Sequence, residues 1–364
     1  MLRLRLFLKC QLFGCLLSIS TSTRAGFLLS AAAIGVLSGP LLAQGTDSQQ
    51  PPLTFEYFRE IYKRKTEFYV PPENPSTPAK VKLGKVLFFD PRLSGSNSMS
   101  CATCHNPALG WSDGLARALG NGGKTLARRT PSLLNVAFSN NLQWDSEFKI
   151  LEDQALAPIR KKTEMNQDLT KLPAKIKAIK GYAPLFADAF PGEPISNLTI
   201  ARALAAFERT IVSGISPFER FLNGDDNAMS MEAKLGGVLF HRKARCSSCH
   251  MGWTLSDGSS YDIGHKGEDL GVGALTKNAW EKFKFKNPPL LDVASHPPYM
   301  HDGALPDLFS VVEFYDRGGD VKRPTLSLDI IPLKLTAQEK AQLVAFLNAL
   351  TSQRDVFEIP SLPE

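Results

Sequence analysis

The sequence predicts a mainly α-helical protein made of two domains related by internal duplication, with long loops between the helices. One five-residue run stands in each half: Cys101-Ala102-Thr103-Cys104-His105 and Cys246-Ser247-Ser248-Cys249-His250. Leu83-Gly84-Lys85-Val86-Leu87-Phe88 precedes the first run, and Leu235-Gly236-Gly237-Val238-Leu239-Phe240 precedes the second. Downstream, Thr130-Pro131-Ser132-Leu133-Leu134-Asn135-Val136-Ala137 matches Asn287-Pro288-Pro289-Leu290-Leu291-Asp292-Val293-Ala294 at an offset of 157, which also brings Trp144-Asp145 onto His301-Asp302.

The first 43 residues read apart from the rest. They carry Arg3, Arg5, Lys9 and Arg24, no acidic residue, and two apolar runs, 6–19 and 27–42, each short of the roughly 20 residues a span requires. Leu41-Leu42-Ala43 ends the second run as a small-residue cleavage site would, so 1–43 reads as a secretory signal and the mature chain as periplasmic, without a membrane span. Without that segment the net charge falls from +6 to +2, which leaves no basic excess for nucleic acid. The remainder divides into 44–225 and 226–364, with the boundary in the polar stretch 223–229. Helical spacing runs through 195–212, with Asn197 as cap, and through 335–350, where Thr336 and Glu339 form a capping box. Stretches 55–69 and 146–157 are further helix candidates.

The two motifs point to covalently bound haem. Two thiols can add to the vinyl groups of a porphyrin while the adjoining histidine ligates iron, and this spacing puts all three on one short turn. A zinc site would instead gather Cys and His into a tetrahedral cluster, and a redox dithiol has no use for a following histidine twice. The expectation is two haem c groups, attached through Cys101, Cys104, Cys246 and Cys249 and ligated by His105 and His250. The other cysteines, Cys10 and Cys15, fall within the signal, so none is left for a disulfide. The remaining histidines, His241, His265, His296 and His301, all lie in the C-terminal half. The N-terminal iron therefore has only Met99 and Met165 as nearby candidates for its second axial position. Met99 is too near the motif to loop over the ring, so the alternatives are Met165 or an open iron able to bind peroxide.

Over nearly the whole mature chain, about residues 55–350, the sequence resembles the family of bacterial dihaem cytochrome c peroxidases and MauG. The resemblance rests on both haem motifs, Thr130-Pro131-Ser132-Leu133-Leu134-Asn135, Trp144-Asp145, Glu152-Asp153-Gln154-Ala155, Glu164-Met165 and Pro298-Tyr299-Met300-His301-Asp302-Gly303. It implies a peroxidase-type oxidoreductase in which hydrogen peroxide reacts at the N-terminal haem and Trp144 couples the two haems. Glu164 matches the distal glutamate, which would move the proton during O–O cleavage, and Gln154 matches a glutamine that would orient peroxide. The plain alternative is that both are solvent-facing residues at a helix end.

Three departures within the family favour its MauG branch or remove a feature. Fourteen residues past His301, where the peroxidases carry a methionine ligand, stands Tyr315, as in MauG. Counting back 157 from Tyr315 gives Pro158, which cannot ligate iron, so the repeat itself implies one closed haem and one open haem. Met300, His301 or a purely structural Tyr315 are the alternatives. Asn121 stands where many of the peroxidases have a distal histidine, which makes reductive activation unnecessary. Arg129 replaces the asparagine of the family's calcium site, so that site is lost or filled by the arginine itself. The implied partners are a small cytochrome c or cupredoxin electron donor, or a protein substrate oxidised at a distance, as in maturation of a quinone cofactor. A non-catalytic dihaem electron carrier is the reading from another class.

Overall fold

The computed structural model describes residues 54–353 and 356–364. The expected signal segment 1–43 lies outside the described residues. Twelve α-helices joined by long loops and short 3-10 turns make up the described chain: α1 Phe55–Ile61, α2 Pro78–Phe89, α3 Cys101–Cys104, α4 Leu151–Arg160, α5 Leu172–Lys177, α6 Tyr182–Ala189, α7 Asn197–Glu208, α8 Pro217–Leu222, α9 Met231–His241, α10 Val272–Thr276, α11 Leu308–Asp316 and α12 Ala337–Ala349. The one sheet among the described residues is a two-residue antiparallel pair, β1 Ser260–Tyr261 with β2 Phe285–Lys286. None of these helices is long and apolar enough to cross a membrane.

Local sequence explains the helix ends. The capping box at Thr336 forms, with Glu339 N–H donating to the Thr336 hydroxyl and Thr336 N–H donating to the Glu339 carboxylate (2.7 Å). The cap of α7 is Ser196 rather than the expected Asn197: Ser196 Oγ accepts from Thr199 N–H and Thr199 Oγ1 accepts from Ser196 N–H. The α4 helix starts at Leu151, later than expected from 146, because Ser146 takes a left-handed φ of 61° and Ile150 is extended. The first helix stops at Ile61, short of residue 69, where Tyr62 leaves helical geometry and becomes buried.

Two large apolar clusters, with a small third around Leu142, Leu151 and Ala205, form the interior. Leu83, Leu87, Phe88, Ile200, Leu204 and Phe207 centre the first, built on the crossing of α2 with α7. Phe240, Leu343, Phe346 and Leu347 centre the second, built on the crossing of α9 with α12. The chain does not keep to one cluster at a time. Tyr62, Phe218 and Leu222 lie in the second, whereas Phe357 near the C-terminus packs against the first.

Corresponding positions in the two lobes make corresponding contacts. A Cβ on Gly84 would lie 1.9 Å from the carbonyl oxygen of Ala203, and one on Gly236 would lie 1.9 Å from that of Gln342. Each glycine thus lets two helix backbones touch, and the carbonyl it meets belongs to a rigid helix. We expect Gly236→Ala to force α9 and α12 apart and to cost about 1–3 kcal/mol, read as a lowered denaturation midpoint; an unchanged midpoint would contradict this close crossing. Asn135 and Asp292, 157 apart, both have a left-handed φ, and their N–H groups donate to the carbonyls of Ile211 and Leu350, which lie just beyond the ends of α7 and α12. The bridges Leu142–Phe148 and Tyr299–Leu305 repeat at the same offset.

Candidate functional site

Each Cys-x-x-Cys-His run forms a single tight turn at the edge of its cluster. The His105 N–H donates to the Cys101 carbonyl (2.9 Å), and His250 N–H to that of Cys246 (2.9 Å). The imidazoles are oriented by carbonyls: His105 Nδ1 lies 3.1 Å from Trp111 O, and His250 Nδ1 lies 2.8 Å from Leu255 O. A carbonyl only accepts, so each Nδ1 carries the proton and each Nε2 keeps its lone pair for a metal. Trp111 and Leu255 hold their carbonyls there through left-handed φ values of 59° and 52°. Burial lowers the pKa of both histidines, which favours the neutral, ligating form.

The thiols argue against the competing chemistries. Burial pushes Cys104 and Cys249 up to about 11 and Cys246 up to about 12, so none is the reactive thiolate of a redox dithiol. Among the described residues neither cysteine pair belongs to a group of three close metal-ligating side chains, as zinc would require.

The second cradle fits a porphyrin. Cys246, Cys249 and His250 line a largely apolar cavity with Leu308, Val311, Val312, Leu343 and Leu347, which suits the faces of a macrocycle. Lys286 lines it too. Burial lowers its ammonium to about 8, and it has no acidic partner among the described residues, so a ligand carboxylate such as a propionate would complete it. Tyr315, near the end of α11, lines the same cavity and interacts electrostatically with Cys246 and Cys249. Burial drives its phenol far above the ordinary range, so a phenolate there needs a cation in the cavity. The other two ligand candidates are lining residues as well. His301, however, belongs to a polar group: its ring stacks on Phe285 at 3.7 Å and stands edge-on to His265, which contacts Asp302 at 3.1 Å. Met300 sits at a left-handed φ of 69° in the turn before it.

At the first cradle the residues opposite in the repeat are different. Gln154 and Pro158, one turn apart on α4, share a face and are half-buried. The chain then folds back, with Glu164 N–H donating to Lys161 O (2.9 Å) and Met165 N–H to Pro158 O (3.1 Å). The Glu164 carboxylate is 25% exposed, pairs with Lys161 Nζ at 2.8 Å and interacts electrostatically with His105 and Cys104. Asn121 donates its N–H to Thr163 O (3.0 Å), so the loop of the absent histidine abuts Glu164. Met165 is buried in the first apolar cluster, and Met99 is buried just ahead of the motif.

Trp144 links the two lobes. Its indole N–H donates to Arg129 O (3.0 Å), its own carbonyl accepts from Lys286 N–H (2.8 Å), and its half-buried ring lines the second cavity. Arg129 N–H donates to His301 O (2.8 Å), and Arg129 and Lys286, like Trp144 and His301, are 157 apart. Arg128 pairs with Asp145 (2.6 Å) and Asp269 (2.7 Å) beside them. The buried Arg129 guanidinium donates to His296 O (2.8 Å) and Ser112 Oγ (3.2 Å), crossing between the halves.

Sequence reading missed Lys286, Arg128 and Glu208. Lys286 was available as the repeat counterpart of Arg129. Glu208 sits inside an apolar helix, where burial lifts its carboxyl to about 8 beside Cys101, and no local pattern flags it.

A two-lobed helical chain with one oriented Cys-x-x-Cys-His turn per lobe and a tryptophan between them defines a dihaem redox protein. The family model described as "Di-haem cytochrome c peroxidase" matches residues 78–227. The methylamine utilization protein MauG of Methylorubrum extorquens is 45% identical over 337 residues, covering 92% of this chain and 94% of the relative. Cytochrome-c peroxidase IdrP1 of Pseudomonas sp. (strain SCT) is 36% identical over 329 residues, covering 81% and 86%. Among solved structures, a MauG-like protein associated with microbial copper homeostasis superposes with a TM-score of 0.74 at 31% identity, covering 80% and 94%. The chain belongs to the dihaem cytochrome c peroxidase and MauG family. It is a haem-dependent oxidoreductase.

Proposed function

We propose that this chain is a periplasmic, c-type dihaem oxidoreductase that uses hydrogen peroxide at the first cradle and passes electrons between the cradles through Trp144. The observation that carries this reading is the inequivalence of the two halves: Tyr315 lines the second cavity, whereas the residue 157 positions earlier is Pro158, which cannot ligate iron and stands in α4 shortly before Glu164. The haems, held by the four motif cysteines as thioethers and by His105 and His250, would supply the redox chemistry. Glu164 takes the proton from one peroxide oxygen at its carboxylate and returns it to the other as the O–O bond breaks. Gln154 orients peroxide through its amide. Trp144, pinned at its indole N–H and at its carbonyl, is held as the conduit.

The same reading takes the lobes 44–225 and 226–364 as copies of one domain, supported by their matching glycine crossings, bridges and caps. Arg129 serves as a built-in cation in place of calcium. The MauG-type version, in which residues of a partner protein are oxidised at a distance, is favoured by Tyr315 and by the 45% identity to MauG over nearly the full chain. A small cytochrome or cupredoxin donor fits the peroxidase version.

The test is the spectrum of the holoprotein before and during titration with peroxide. One high-spin and one low-spin ferric haem at rest, with both responding to peroxide, is the expected result. Two low-spin haems inert to peroxide would instead indicate an electron carrier.

A further inference from the structure

We infer that Tyr62 and His241 form a redox-active pair that draws an oxidising equivalent out of the second cradle. Tyr62, directly after α1, is 2% exposed, and its hydroxyl lies 2.5 Å from His241 Nε2. The tautomer of His241 is dictated by its other nitrogen. Nδ1 lies 2.7 Å from the Gly237 carbonyl, which only accepts, so Nδ1 carries the proton and Nε2 accepts from the phenol. A buried phenol hydrogen-bonded to an imidazole lone pair can be oxidised without releasing a charged proton into an apolar core.

The pair is wired to the second cradle by rings in contact. His250 and Phe240 have centroids 6.4 Å apart, Phe240 and His241 5.3 Å, and His241 and Tyr62 5.5 Å. A second file runs from Phe240 to Phe346 (5.1 Å), Phe218 (5.3 Å) and Tyr62 (5.4 Å). Tyr62 also interacts electrostatically with Cys246. Burial holds the phenol well above its ordinary pKa, which closes simple deprotonation, and it keeps His241 neutral and able to accept.

The step balances within the protein and rests on the functional reading above. One electron would leave the Tyr62 ring for the haem that the second cradle would hold, itself oxidised through Trp144 once hydrogen peroxide has oxidised the first site, as the phenol proton crosses to His241 Nε2. The products are a neutral tyrosyl radical and an imidazolium. Re-reduction returns electron and proton together. On its outer side Tyr62 lines a surface groove with Glu56, Arg59, Glu60 and Lys63, from which a small water-soluble one-electron reductant can restore it.

The test is rapid-freeze electron paramagnetic resonance on the holoprotein, with two oxidants in separate arms: hydrogen peroxide, and an exogenous ruthenium photo-oxidant that does not depend on haem–peroxide chemistry. The expected result is a tyrosyl radical that disappears in Tyr62→Phe, which keeps the packed ring. In His241→Gln the radical forms roughly a hundredfold more slowly and loses its solvent deuterium effect, because the proton acceptor is gone. An identical radical in parent and Tyr62→Phe, or an unchanged rate in His241→Gln, overturns the assignment. Haem spectra inert to peroxide would overturn the functional reading alone, and the photo-oxidant arm would still decide Tyr62.

Discussion

Tyr315→His is expected to raise the reduction potential of the second haem by on the order of 0.1 V or more, within the ~0.8 V that axial ligands command. The reason is electrostatic. A phenolate brings a full negative charge to the iron and favours its oxidised forms, whereas a histidine brings a neutral lone pair. The cavity amplifies the difference, because its walls are largely apolar and Tyr315 lines it. Burial alone would keep that phenol protonated; a ferric iron held by His250 would supply the cation that reverses the preference. Redox titration and the decay of the peroxide-oxidised protein measure the effect. A variant with the parent's potential and the parent's decay rate would remove Tyr315 from the coordination sphere and return Met300 and His301 to candidacy.

Glu164→Gln is expected to slow the reaction with hydrogen peroxide by about 10²–10⁴-fold while leaving haem content unchanged. The amide keeps the size and hydrogen-bonding reach of the side chain but cannot take up a proton. Because Glu164 pairs with Lys161, loss of that ion pair is the competing explanation. Lys161 is 62% exposed, so the pair itself contributes little, and Lys161→Gln should react with peroxide at close to the parent rate. Stopped-flow traces of the two variants separate the explanations: equal slowing in both would mean that the pair, rather than proton transfer, matters.

Much of the site was legible because its chemistry is local in sequence. Two thiols and an imidazole on one turn need only five residues, and the capping box of α12 needs only Thr336 and Glu339. The likeness between the halves is plain where loops dominate, since Asn135 and Asp292, or Trp144 and His301, keep a single offset of 157. It was harder to follow through the helices, because Gly84 and Gly236 are 152 apart and Ala203 and Gln342 only 139. One offset cannot bring all these pairs into register.

Other features depend on contacts that no local pattern encodes. The helical spacing beyond residue 61 gives no hint that Tyr62 turns into the second cluster to meet His241. The polar stretch 223–229 marks where the chain surfaces, but it does not say in which core Phe218 and Leu222 are buried. At Ser146 a left-handed turn displaced a helix start whose composition alone looked favourable. Lys286 in the second cavity follows from the 157-residue offset only once Arg129 is known to matter.

The reciprocal bonds from Arg129 to His301 and from Lys286 to Trp144 join main chain to main chain. The spacing of the two cradles is therefore carried by peptide groups, whose hydrogen bonds survive replacement of the side chains beside them. Tunnelling falls off exponentially with distance, so on the proposed reading a gap fixed in the backbone would let docking surfaces and substrate contacts diverge while electronic communication stayed constant. A scaffold of this kind can change what it oxidises without being rebuilt around its own wiring.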